Sequence, residues 1–177
     1  MNIRTVAASA LLAGLCAAPV SAAGLPNGAT SLNETYGAWR VVCQSVTKNE
    51  ATNVGCTLVQ VLSRKGSKSP AFVIRLQPGS DGDANGRMIV PLGVSLKDGV
   101  TLQIDDSAET APNPYSTCLR AGCMVPIKWP AKTVNGLKLG GTLKVMATGM
   151  TGQKATFEVS LKGFSAAYDR AATLISG

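Results

Sequence analysis

From Trp39 onward, apolar side chains recur at every second position in short runs. Trp39, Val41 and Cys43 fall on one face of an extended segment, with Arg40 and Val42 on the other. Cys56 to Leu62 is β-branched and apolar, with Gln60 interrupting, and Ala71 to Gln77 puts Phe72, Ile74 and Leu76 on one side. Met88-Ile89-Val90 runs into Pro91-Leu92-Gly93-Val94. Val100 to Ile104, Cys123 to Trp129, Thr142 to Thr148 and Gln153 to Leu161 repeat the pattern. A period of two marks strands with one buried face, because successive side chains point to opposite sides of a sheet. Gly149-Met150-Thr151-Gly152 between the last two segments reads as a hairpin turn. About eight short strands with no helical pattern between them predict an all-β chain, an antiparallel β-sandwich of immunoglobulin-like architecture. A closed barrel is the alternative. Trp39 and Trp129 share strand parity with apolar neighbours and are expected in the core.

The pattern changes at the two ends. After Gly163, the residues Phe164, Ala167, Tyr168, Ala171, Leu174 and Ile175 lie near one helical face, with Ser165 as the expected cap. This predicts a short C-terminal helix packed on an edge or end of the sandwich. Residues 23–35 are small and polar and are read as a flexible N-terminal arm. Before them, Arg4 and an apolar run from Val6 to Leu15 precede Pro19 and Val20-Ser21-Ala22-Ala23. That run is too short for a bilayer anchor, which takes roughly 20 apolar residues, and it matches a signal peptide over residues 1–22. Cleavage is expected after Ala22, with Ala23 as the near alternative. Lipidation of Cys16 is disfavoured because Leu15 precedes it, where Gly or Ala is wanted. No later stretch is long and apolar enough to span a membrane. Residues 36–177 therefore read as a single domain.

Export changes the meaning of the cysteines. Without the leader, the chain's 5 cysteines become Cys43, Cys56, Cys118 and Cys123, an even set that implies disulfides in an oxidising compartment. Three connectivities are possible. Cys43–Cys56 with Cys118–Cys123 is favoured, because each pair is local and flanked by strand-like segments. A zinc site fits poorly: neither pair has the usual spacing and the chain has no histidine.

Charge and candidate chemistry exclude more than they assign. Removing Arg4 leaves 16 cations against 10 anions, a net +6, a balance that suits acidic partners in general. The densest run, Arg64-Lys65-Gly66-Ser67-Lys68, has no aromatic neighbour and reads as a solvated loop, so no nucleic acid is expected as partner. Zero histidines remove every Ser-His, Cys-His and His-metal mechanism. Asp105-Asp106 with Glu109, and Asp81 with Asp83, are the remaining carboxylate clusters, and both read as turn residues. Asp81, Asp83 and Asn85 place oxygen ligands at alternate positions before Gly86, as half of a calcium loop does. Leu92 stands where the closing Glu belongs. No catalytic residue, cofactor or metal is assigned, and the chain is not expected to be an enzyme.

The ordered set Tyr36-Gly37-Ala38-Trp39-Arg40-Val41-Val42-Cys43, Cys56, Val90-Pro91-Leu92-Gly93-Val94, Leu102-Gln103-Ile104-Asp105, Cys118 with Gly122-Cys123, and Ser160 to Ala167 resembles one family. It is similar to the invasion-associated locus B family of alphaproteobacterial envelope proteins, over roughly Tyr36 to Ala172. The resemblance implies a non-enzymatic β-sandwich located in the periplasm, with outer-membrane association or secretion as variants. It implies a macromolecular partner in the envelope or on a host cell, and a contribution to attachment or invasion. A periplasmic small-ligand or glycan binder is the alternative.

Overall fold

The computed structural model describes residues 24–48, 51–63, 66 and 70–177. The expected signal peptide with its cleavage site after Ala22, Cys16, and all of the Arg64–Lys68 run except Gly66 lie outside the described residues.

Among the described residues, ten strands form two antiparallel sheets. β1 (Ser31–Tyr36), β2 (Trp39–Lys48), β3 (Ala51–Ser63), β4 (Pro70–Pro78) and β5 (Ala84–Val90) follow one another as neighbours. β8 (Gly122–Trp129) and β7 (Thr117–Leu119) complete a seven-stranded sheet in the order β1-β2-β3-β4-β5-β8-β7. β6 (Val100–Ile104), β9 (Thr142–Thr148) and β10 (Lys154–Ser160) form the second sheet, ordered β10-β9-β6. The chain changes sheets after Pro91, whose ring removes a ladder donor and ends β5. The two sheets share one core. Trp39, Val41, Leu58, Ile74, Leu76, Met88 and Val125 from the large sheet are buried together with Val100, Val145 and Val159 from the small one. Phe157 of β10 stacks on Phe72 of β4, ring centroids 5.1 Å apart.

Two helices complete the cover over the inner face of the large sheet. α2 (Phe164–Ser176) lies across β1 to β4. Its residues Phe164, Ala167, Tyr168, Ala171 and Leu174 are buried, whereas Ile175 is exposed at the end of the stripe. Ser165 does not cap the helix. The N-cap is Gly163, in a left-handed conformation at φ 86°. A side chain at Gly163 would collide with the Tyr36 carbonyl, so the β1–β2 turn and the start of α2 meet backbone to backbone. Ala38 N–H donates to the Lys162 carbonyl at 3.0 Å in that contact.

The sequence did not predict α1 (Ala131–Leu139), which buries Val134 and Leu137. Gly136 and the β-branched Thr133 and Val134 weaken its helical signal. A Cβ at Gly136 would lie 3.3 Å from Ile104 Cδ1 of β6, a contact that a small shift of the Ile104 side chain relieves.

The flexible arm expected over 23–35 is also corrected in its second half. Ser31–Tyr36 pair with Gln44–Trp39 as β1, and Leu25 is buried in the core. Glu34 turns inward with Leu32 and Tyr36. The Arg170 guanidinium of α2 grips its carboxylate through Nε and Nη2, both at 2.9 Å.

Candidate functional site

The four cysteines lie in two pairs at bonding distance, Cys43 with Cys56 and Cys118 with Cys123. In each pair the two residues are directly opposite in neighbouring strands, β2 with β3 and β7 with β8. The first pair is buried, whereas Cys118 of the second is exposed. These are staples of the sheet and bring no nucleophile to a cleft.

The candidate carboxylates separate. Asp105, with φ 48°, accepts from Gly141 N–H and Thr142 N–H at 3.0 Å and 2.8 Å. Those two backbone donors hold its carboxyl below the ordinary aspartate range. Asp106 faces Lys144 at 3.6 Å, and Glu109 accepts from the Thr101 hydroxyl at 3.2 Å. The first carboxylate ties the end of β6 to the start of β9, and the three do not form a catalytic pair. At the β4–β5 turn, Asn85 donates its amide to the Asp83 carboxylate at 3.3 Å. Gly79 N–H and the Tyr168 hydroxyl both donate to the Asp83 carbonyl, at 3.0 and 2.6 Å. Asp81 stays exposed. Among the described residues no group of three or more His, Cys, Asp or Glu side chains converges on a metal-sized point.

Both tryptophans are core residues. Trp39 is fully buried, stands edge-on to Phe164 with centroids 5.1 Å apart, and donates Nε1–H to the Ser160 carbonyl at 2.8 Å. Trp129 is 7% exposed. Gln60, the buried polar side chain among the described core residues, explains the interruption in β3. Its amide donates to the Ser160 carbonyl at 2.8 Å and its oxygen accepts from Ser160 N–H at 3.0 Å. It thereby replaces a missing strand partner where the small sheet ends.

What remains is the outer face of the seven-stranded sheet, which, among the described residues, neither the small sheet nor a helix covers. Register lines up residues that are far apart in sequence. Arg40 is opposite Val59, Val59 opposite Arg75, Arg75 opposite Arg87, and Arg87 opposite Pro126. Beside that row lie Val42, Thr57, Gln77, Asn85 and Lys128. Arg40, Arg75, Arg87 and Lys128 are all exposed. Val59 is 5% exposed although it faces outward, as expected beneath the aliphatic stems of flanking arginines. None of the four cations makes an ion pair with a described acid. No Asp or Glu occupies an outward position of these strands among the described residues, and Asp83 stays at the rim, bonded to Asn85. The side chains of this face border two adjoining hollows. A trough of about 600 Å³ runs over Arg40, Val42, Gly55, Thr57 and Arg75, and a second hollow of about 310 Å³ continues it to Arg87. A separate, more apolar cleft of about 750 Å³ opens between α1 and the 105–113 loop, lined by Ile104, Trp129, Leu137 and Leu143.

The ordered motifs and this fold can be set beside known proteins. A sequence model described as "Invasion associated locus B (IalB) protein" matches residues 39–172. The chain belongs to the IalB family. It is 36% identical over 171 residues to an invasion protein B homologue of Brucella abortus (strain 2308), covering 96% of this chain and 95% of that protein. It is 31% identical over 159 residues to invasion protein B of Bartonella bacilliformis, covering 87% of this chain and 82% of that one. The crystal structure of invasion associated protein B from Bartonella henselae superposes with a TM-score of 0.69 at 28% identity, over 81% of this chain and 97% of that one. The IalB assignment agrees with the resemblance in the sequence motifs and with the mostly antiparallel fold. The relatives' names describe no enzyme. Among the described residues of this IalB-family chain, no helix is long and apolar enough to cross a membrane. The arginine row escaped sequence reading because each arginine is isolated in its own strand, and only the pairing of β2 through β5 joins them.

Proposed function

We propose that this chain is a non-enzymatic, exported envelope protein that binds a macromolecular partner through the outer face of its large sheet. The observation that carries the reading is the row of exposed Arg40, Arg75 and Arg87 without described acidic partners. Arginines left unpaired on an ordered sheet present planar, bidentate donors at fixed spacing, the arrangement that recognises carboxylate, sulfate or phosphate. The signal-like leader, the cysteine pairs and the family support a periplasmic location, with outer-membrane association or secretion as variants. The relatives' names support a part in host-cell attachment or invasion. Photo-crosslinking in intact cells from outward positions such as Gln77 and Thr57 tests this. Crosslinks to a macromolecule that weaken when Arg75 and Arg87 become Ser support the reading. Crosslinks arising only from the α1 cleft overturn it. That cleft favours a second reading, a small-ligand binder, because it joins an apolar lining to Lys132.

A further inference from the structure

Resting on the outer-face reading, we infer that the partner is a linear acidic polysaccharide lying across the strands of the large sheet. Three observations narrow the chemistry.

The first is spacing. The arginine row runs perpendicular to the strands, and neighbouring strands are about 4.8 Å apart. Arg75 and Arg87 on β4 and β5 are therefore one strand apart, and Arg40 on β2 is two strands from Arg75. A polymer carrying a carboxylate or sulfate every one or two sugar residues presents anions at comparable steps. Flanking Gln77, Asn85 and Thr57 supply the neutral donors and acceptors that sugar hydroxyls need.

The second is Gly55. It faces outward on β3, opposite Gln44. A glycine in a strand interior weakens the strand, and neither geometry nor packing demands one here. Its φ is not in the left-handed region, and a Cβ built on it meets nothing within 4 Å. Its effect is to keep the trough floor open beside Thr57, so that a chain can approach the backbone.

The third is what the face lacks. Among its described residues it shows no outward aromatic on which nucleobases could stack. Its described outward residues include none of the large aromatic side chains that anchor proteins at a bilayer interface. A two-fold partner copy would set this cationic row against itself. An acidic polysaccharide satisfies the charge, the adjoining hollows and the open floor together.

The test uses the mature chain and heparin as the model polyanion, with chemically desulfated heparin, anionic phospholipid vesicles and an acidic peptide as comparators. Heparin should bind, with an affinity that falls as salt rises, and desulfation should weaken it. Arg75→Ser with Arg87→Ser should lower affinity about tenfold or more and reduce the salt slope by roughly one per cation removed. Gly55→Leu changes no charge; it should weaken binding comparably while leaving the melting temperature within error or higher. Lys154→Ser, on β10, should bind as the parent does. The proposal is overturned if Gly55→Leu and the double arginine variant bind heparin like the parent. It is equally overturned if vesicles or the acidic peptide outcompete heparin. If heparin fails while in-cell crosslinks still arise from Gln77 and Thr57, the polysaccharide is wrong and the macromolecular reading stands. If the crosslinks also move away, both are wrong.

Discussion

The two faces of the seven-stranded sheet are made by the same strands, residue by alternate residue, and differ in almost everything else. The inner face carries Trp39, Val41, Ile74, Leu76 and Met88, packed under α2 and the small sheet to nearly zero exposure. The outer face carries Arg40, Arg75, Arg87 and Lys128 with amide and hydroxyl side chains, and no described helix or strand covers it. Apolar burial drives folding and is indifferent to which polar groups sit opposite. The inner face therefore specifies the domain, and the outer face is free to specify what the domain meets. A sheet needing only solubility would mix both charge signs. Among its described residues this one shows cations alone, which supports the binding role proposed for it.

The sharpest way to break this comparison is to cut into the inner face. Trp39→Ala removes a fully buried indole, its edge contact with Phe164 and its bond to Ser160. It should cost about 3–5 kcal/mol, read as a lower denaturant midpoint at unchanged slope; a midpoint within error of the parent would refute the core role. Next comes the staple. Replacing both Cys43 and Cys56 by Ser should cost about 3 kcal/mol for a closed loop of this length. The intact chain should yield Cys43–Cys56 and Cys118–Cys123 peptides on non-reducing mapping, and any peptide joining the two pairs would sink the connectivity.

A smaller effect separates inward charge from outward charge by pH. Arg170 and the Tyr36 hydroxyl hold the Glu34 carboxyl below its usual 4.5. A carboxylate with a depressed folded pKa adds stability above its unfolded pKa and loses it as pH falls through the folded value. Stability should therefore drop on acidification below about pH 4.5, and Glu34→Gln should flatten that drop while lowering stability slightly at neutral pH. An identical acid limb in the variant would show that the pair contributes nothing. The smallest effect belongs to the outer face. Arg75→Ser should change stability by no more than about 0.5 kcal/mol, and a loss comparable to Trp39→Ala would make that arginine a structural residue.

How much of this was legible in the sequence follows from the range of each signal. Period-two alternation is local, so β2 to β6 and β8 to β10 could be read from their own residues, as could the apolar stripe of α2. β1 could not, because its inward Glu34 breaks the apolar alternation and only the distant Arg170 makes that position tolerable. β7 is three exposed residues, with no burial pattern to read. α1 was hidden by Gly136 and by the β-branched Thr133 and Val134, which weaken its helical signal. The arginine row was the least legible part. Nothing in the sequence says that β5 pairs with β8 and that β6 departs to the second sheet, and without that register Arg40, Arg75 and Arg87 are three unrelated residues.

The grip of Arg170 on Glu34, 136 positions apart, sets a timetable for the chain. A polypeptide emerging N-terminal end first, from a ribosome or through a membrane pore, exposes β1 long before α2 exists to hold it. Until the last helix arrives, Trp39 has no Phe164 against its edge and the inner face of β1 to β4 is uncovered. Closure is thus deferred to the final stretch, and a chain stalled before Arg170 stays open and threadable. Loss of that last helix should turn a late-folding protein into one that never closes, leaving its apolar face to proteases and to other unfinished chains.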